Sequence, residues 1–161
     1  MQDEQQLAAE VGRRLQACGQ RVTTAESCTG GGLAAAITAI AGSSAWFDLS
    51  VVTYSNEAKQ RLLGVPAGLL QQYGAVSEQV AAAMAEGAMR LAAADWALSV
   101  TGIAGPAGAT PGKPVGTVCF GMAHSGSVQT TVCHFSGDRN AVRQQAACFA
   151  LTWLRDALPP Y

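Results

Sequence analysis

The stretch at residues 21–32, RVTTAESCTGGG, decides the fold. Its first half, 21–26, reads as a short strand, and 30–40 continues as small apolar residues with a helical period. Ser27, Cys28, Thr29 and Gly30 therefore occupy a strand-to-helix turn. Upstream, Leu7, Val11, Leu15 and Cys18 recur at helical spacing, which predicts an amphipathic helix over 3–18 closed by Gly19. Downstream, 46–54 (WFDLSVVTY) is aromatic and β-branched, a buried strand by this reading. A short helix over 56–63 follows, ended by Gly64 and Pro66.

Ser77 is the expected N-cap of a long helix reaching about residue 94, with Val80, Met84, Ala88 and Leu91 inward. Residues 96–101 (WALSVT) form another strand. The segment 102–114 (GIAGPAGATPGKP) holds too many glycines and prolines for any regular element and is a loop. Strands over 115–123 and 127–135 join through His124, Ser125 and Gly126 as a hairpin. Asp138 opens the last helix, which turns Val142, Cys148, Leu151 and Leu154 inward. Strands alternating with helices imply parallel pairing, and the hairpin adds an antiparallel pair. The expected fold is α/β: a single three-layer α/β/α sandwich over residues 1–161, with a mixed, mostly parallel sheet.

The chain has 161 residues, enough for one domain with its own core. Ten basic against eleven acidic residues give a net charge of -1, so no basic stripe is available for nucleic acid. Hydrophobic residues make up 49%, which excludes disorder, and the most apolar run, 33–41, is too short to span a bilayer. Charged residues are 13%, about half the roughly 25% usual for soluble domains. The little charge on alanine-faced helices such as 77–94 suggests packing against further copies, a homo-oligomer.

Five cysteines (Cys18, Cys28, Cys119, Cys133, Cys148) include no CxxC pair, and His124 and His134 lack ligand-spaced partners. Neither a disulfide framework nor a metal site is expected; the thiols read as small buried hydrophobes in a reducing compartment. The polar opening MQDEQQ carries no secretory signal, so a cytoplasmic location is expected.

In such sheets ligands sit beyond the C-terminal ends of the strands. Three segments fall there: 26–32, 54–59 and 101–114. The glycines of ESCTGGG leave amides free at a helix start, suited to a phosphate or a developing oxyanion, with Thr29, Gly30 and Gly31 as donors. No lysine follows them as in a Walker A loop, and Ala25 breaks the G-x-S-x-G pattern. Ser27 or Cys28 is the candidate nucleophile. Its base could be Lys59, one of only two lysines, if burial holds it neutral, with Tyr54 relaying the proton or orienting the amine. Gly102, Ala104, Gly105 and Thr110 could wrap a phosphate or sugar, with Lys113 supplying charge. Asp138 and Arg139 read as a helix cap and a surface charge, Arg139 being a further cation for phosphate.

Seven stretches together resemble the C-terminal domain of the competence/damage-inducible protein CinA: TAESCTGGG (24–32), YSNEAK (54–59), LGV (63–65), GAVS (74–77), TGIAGP (101–106), KPVGTV (113–118) and GDR (137–139). Full-length CinA proteins carry an additional N-terminal domain, so this chain looks like the stand-alone form or an excised domain. The resemblance implies hydrolysis of the carboxamide of nicotinamide mononucleotide within pyridine-nucleotide salvage, without a cofactor. It also implies Ser27 as nucleophile, assisted by Tyr54 and Lys59. Two alternatives stay open at this point: a non-catalytic nucleotide-binding or competence-linked interaction module, and an amidase that uses Cys28.

Overall fold

The structure, a computed structural model, describes residues 3–160. In chain order come α1 (Glu4–Cys18), β1 (Val22–Glu26), α2 (Gly32–Thr38), a 3-10 turn (Ser43–Ala45), β2 (Phe47–Val52), α3 (Asn56–Leu63), α4 (Ala67–Tyr73), α5 (Glu78–Leu91), β3 (Trp96–Gly102), β4 (Thr117–His124), β5 (Ser127–His134) and α6 (Arg139–Ala157). Local chemistry sets the ends of these helices. Asp3 forms a capping box with Gln6, Ser77 accepts from the Val80 amide, Asp138 accepts from the Ala141 amide, and Gly19 and Gly64 close α1 and α3 in the left-handed conformation.

The five strands form one sheet in the order β2-β1-β3-β4-β5. β1 pairs parallel with β2 and β3, whereas β4 runs antiparallel to both β3 and β5. Only β4 is reversed, so the sheet is mixed with most strands pointing one way, as the sequence implies. Helices α1, α2 and α6 cover one face, burying Leu15, Leu33, Ile37, Leu151 and Leu154 against the sheet. Helices α3, α4 and α5 cover the other, around Leu63, Val80 and Met84. The result is the three-layer sandwich.

Four expectations need correction. Strand β2 is not buried: it is a sheet edge with a single neighbour, and Val52 at its end is 46% exposed. Helix α2 begins at Gly32 rather than residue 30, because Gly30 (φ 60) and Gly31 (φ 99) adopt left-handed conformations that a helix cannot include. Helix α4 was not foreseen; it is a seven-residue segment that starts after Pro66 and buries Leu70. The inward face of α5 stops short of Leu91, which ends the helix and is 44% exposed. Ala81, Ala85 and Ala88 are buried within the chain, and α5 packs directly on β3, β4 and β5.

That close approach requires Gly121 in β4. A Cβ there would meet the Ala81 carbonyl oxygen at 2.6 Å and Ser99 Oγ, also at 2.6 Å. Gly121→Ala is expected to destabilise the domain by about 1–3 kcal/mol, the usual size of an overpacking penalty. Gly68→Ala, on exposed α4 with nothing within 4 Å, should instead be neutral or stabilise by up to about 1 kcal/mol. Urea denaturation of the two variants beside wild type checks both signs.

Candidate active site

The C-terminal ends of β1, β2 and β3 lie side by side, since Glu26 pairs with Val52 on one flank and Val100 on the other. Ser27 follows at once. Its amide donates to the Val100 carbonyl at 2.9 Å, so the nucleophile candidate is held by the sheet itself. On the β2 side, Ser55 caps α3 by accepting from the Ala58 amide at 3.0 Å, which fixes the first turn and directs Lys59 inward.

Lys59 is 1% exposed. Its Nζ lies 3.1 Å from Ser27 Oγ and donates to the main-chain carbonyls of Thr53 at 2.8 Å and Tyr54 at 3.2 Å. Burial lowers its pKa from the usual 10.5, with the neighbouring Cys28 pulling weakly the other way. Cys28 is disfavoured as a nucleophile by the same physics. Its thiol is buried, and desolvation above all, with the charge of Glu26 adding, pushes its pKa up to about 12.

The start of α2 is not an open anion site. Glu26, fully buried, turns its carboxylate onto it: Oε1 accepts from the Thr29 hydroxyl at 2.6 Å and the Leu33 amide at 2.9 Å, and Oε2 accepts from the Ala34 amide at 2.9 Å. The Gly30 amide donates back to the Ser27 carbonyl at 3.0 Å. Thr29 and Gly30 are thus engaged within the turn, and Gly31 serves as the left-handed N-cap of α2. Arg143 on α6 donates to the Thr29 carbonyl at 3.2 Å, and its Nη2 would lie 3.0 Å from any Cβ at Gly30.

A cavity of about 300 Å³ opens over Ser27, bounded by Lys59, Tyr54, Ala104, Gly105 and Arg139. Gly102 also lines it. Tyr54 is 62% exposed, and its hydroxyl accepts from Arg139 at 3.2 Å; its contact with Lys59 is through the main-chain carbonyl. Arg139 also donates to the Gly105 carbonyl at 2.8 Å. Thr110 and Lys113 lie outside this cavity. They pair with each other through the main chain, and Lys113 Nζ donates to the Tyr73 carbonyl at 2.6 Å.

The structure therefore brings together Ser27, Lys59, Tyr54, Gly102, Ala104 and Gly105, and leaves Thr110 and Lys113 apart. Glu26 and Arg143 were missed. The motif shows an acid before Ser27 but not that its side chain folds back onto the next helix, and Arg143 lies more than a hundred residues downstream of the turn. A second cavity, about 420 Å³ around His124 and Asp95, sits at the opposite end of the sheet, away from Ser27 and Lys59.

Residues 4–158 match the CinA C-terminal domain family. The chain belongs to that family. It is 60% identical over 153 residues to the nicotinamide-nucleotide amidohydrolase PncC of Enterobacter agglomerans, covering 94% of this chain and 93% of that protein. PncC of Escherichia coli K12 is 55% identical, with 92% and 91% covered. A CinA-like protein of Geobacter metallireducens is 52% identical over 97% of this chain, which spans 38% of that protein. Among solved structures, a CinA superfamily protein from Klebsiella pneumoniae superposes with a TM-score of 0.94 at 45% identity, covering 96% of this chain and 97% of that one. No helix among the described residues of this CinA-family domain is long and apolar enough to cross a membrane.

The cysteines offer a direct check on the site's electrostatics. All five are free; Cys18 is exposed, contrary to the expectation of burial, while Cys28 and Cys119 are buried. Near neutral pH an alkylating agent should modify Cys18 well before Cys28 or Cys119, read by peptide mass mapping. Rapid modification of Cys28 in the folded protein would contradict the environment described.

Proposed function

We propose that this domain hydrolyses the carboxamide of nicotinamide mononucleotide to the corresponding acid and ammonia, with Ser27 as nucleophile and Lys59 as base. The observation that carries the reading is the buried Lys59 amine at 3.1 Å from Ser27 Oγ. As a neutral amine, Lys59 gives its two N–H groups to the Thr53 and Tyr54 carbonyls and keeps its lone pair for the Ser27 proton. The names of the relatives, nicotinamide-nucleotide amidohydrolases, supply the substrate.

Lys59 takes the hydroxyl proton as Ser27 Oγ attacks the carboxamide carbon, and the carbonyl oxygen becomes an oxyanion. Collapse breaks the C–N bond, and the Lys59 ammonium returns its proton to the departing nitrogen, which leaves as ammonia. Water then attacks the acyl-serine with Lys59 again as base, releasing the acid and restoring Ser27. The sequence suggested oxyanion donors at 29–31, but those residues do not line the cavity, and the Gly30 amide is held by the Ser27 carbonyl. The buried amides of Ala104 and Gly105, without an acceptor among the described residues, are better suited to meet the substrate. Arg139 is the cation at the cavity rim for the phosphate, with Tyr54 beside it as a wall and hydrogen-bonding group rather than a proton relay.

The test is ammonia release from nicotinamide mononucleotide, with the acid identified by mass. Ser27→Ala should lower kcat by roughly 10⁴-fold or more, as removal of a nucleophile does elsewhere. A fully active Ser27→Ala enzyme, or mononucleotide binding with no ammonia released by wild type, overturns the proposal. The base must be deprotonated to act, so kcat/KM should rise with pH through one ionisation below the ordinary lysine value of 10.5 and fall away at lower pH. Lys59→Arg should not rescue, because a guanidinium stays protonated throughout that range.

A further inference from the structure

One buried ionisable group takes no part in the chemistry above. Glu26 is fully buried, ends β1, and immediately precedes Ser27. Its side chain accepts three hydrogen bonds, from the Thr29 hydroxyl and the amides of Leu33 and Ala34, and so spans the turn that carries Ser27. The positive end of α2 favours a carboxylate there, and the charge shortens and strengthens those bonds. Its main chain reaches the other way. The Glu26 carbonyl accepts from the Thr53 amide at 2.8 Å, and the Thr53 carbonyl in turn holds Lys59 Nζ at 2.8 Å. One residue is therefore bonded to both sides of the Ser27–Lys59 pair.

We infer that Glu26 is the positioning residue of this site, tying the nucleophile turn to α2 through its carboxylate and to the base through Thr53. It touches no substrate; it acts by setting where Ser27 Oγ stands relative to Lys59 Nζ. A neutral amide of the same shape cannot replace it. Gln would keep one acceptor oxygen for Thr29 and Leu33 but turn an NH2 group toward the Ala34 amide, setting donor against donor. Asp keeps the charge but is one methylene short of reaching the same three donors. The inference rests on the reading of Ser27 as nucleophile.

The experiment measures kcat and KM for the mononucleotide, and separately the rate at which a fluorophosphonate labels Ser27, in wild type, Glu26→Gln and Glu26→Asp. A folded Glu26→Gln should lose kcat by about 100-fold, the scale of a small misplacement of reacting groups, while KM changes by less than about threefold. Its Ser27 labelling should slow in parallel, with Glu26→Asp between the two. A merely structural role would lower the melting temperature and leave kcat per folded molecule and the labelling rate unchanged, which overturns the inference. If Glu26→Gln does not fold, Thr29→Val removes one of the three bonds and should reproduce the kcat-specific loss at smaller size. An unchanged kcat in Thr29→Val then overturns it. The two proposals fail differently: labelling of wild-type Ser27 without ammonia release removes the substrate alone, and equal labelling of wild type and Glu26→Gln removes the positioning role alone.

Discussion

Lys59 is a long amine side chain sealed among three oxygen atoms, and the geometry of the site is organised around keeping it there. Burial disfavours the ammonium, so the unfolded chain holds that proton more readily than the folded one. The sign follows from this. Protonation penalises the fold at neutral pH, and the penalty disappears as pH rises toward 10.5, where the unfolded chain also gives the proton up. A group that weakens the domain under ordinary conditions is the price of an amine held next to a serine in a chain whose two histidines lie elsewhere. The two carbonyls that receive its N–H groups belong to the segment between β2 and α3, so the edge position of β2 has a use. Leaving the sheet there frees Thr53 and Tyr54 main-chain oxygens to face an amine rather than another strand.

The opposite wall of the site is governed by a carboxylate. Three glycines at a helix start invite the idea of a ligand anion, and the structure fills that position with the chain's own Glu26. Two consequences follow from that internal anion. The turn bearing Ser27 is rigid from within, and its negative charge, added to desolvation, keeps the neighbouring Cys28 thiol protonated. The cavity itself is bordered by the loop after β3, where Ala104 and Gly105 are buried and Arg139 approaches from α6. Serine and cysteine side by side are thus told apart by environment, without any difference in access along the chain.

The sequence made the order of the strands and most helices readable because each was announced by a local signal: helical spacing at 7–18, caps at Ser77 and Asp138, and breakers through 102–114. Helix α4 lacked such a signal. It is seven residues long, has no side-chain cap, and owes its existence to Leu70 packing under α5. The edge status of β2 was also hidden, since WFDLSVVTY has the composition of a buried strand and only the sheet order shows that one flank is open. At the site, Ser27 and Lys59 could be paired from topology, because both follow neighbouring parallel strands. Tyr54 lines the cavity over Ser27, but its hydroxyl turns to Arg139, a partner 85 residues away that no local pattern connects to it. Lys113 illustrates the converse. A cation in a glycine-rich loop looks like a phosphate ligand, yet the loop folds back so that the amine meets the Tyr73 carbonyl.

The low charged fraction, 13%, takes on a different meaning once α5 is seen against the sheet. Alanine on a helix with few charges suggests a surface that wants a partner. Here the partner is the sheet of the same chain: Ala81 comes near enough for its carbonyl to accept from Ser99 Oγ at 2.6 Å, over a glycine in β4. Close approach needs small side chains on both elements, and small side chains leave little room in the composition for charge. The same approach carries function, because α5 and the segment before it brace the cavity wall. Thr101 at the end of β3 donates to the Ala75 carbonyl at 2.9 Å, and Ala75 and Val76 border the space over Ser27. An alanine-rich helix face is therefore accounted for by packing inside the domain.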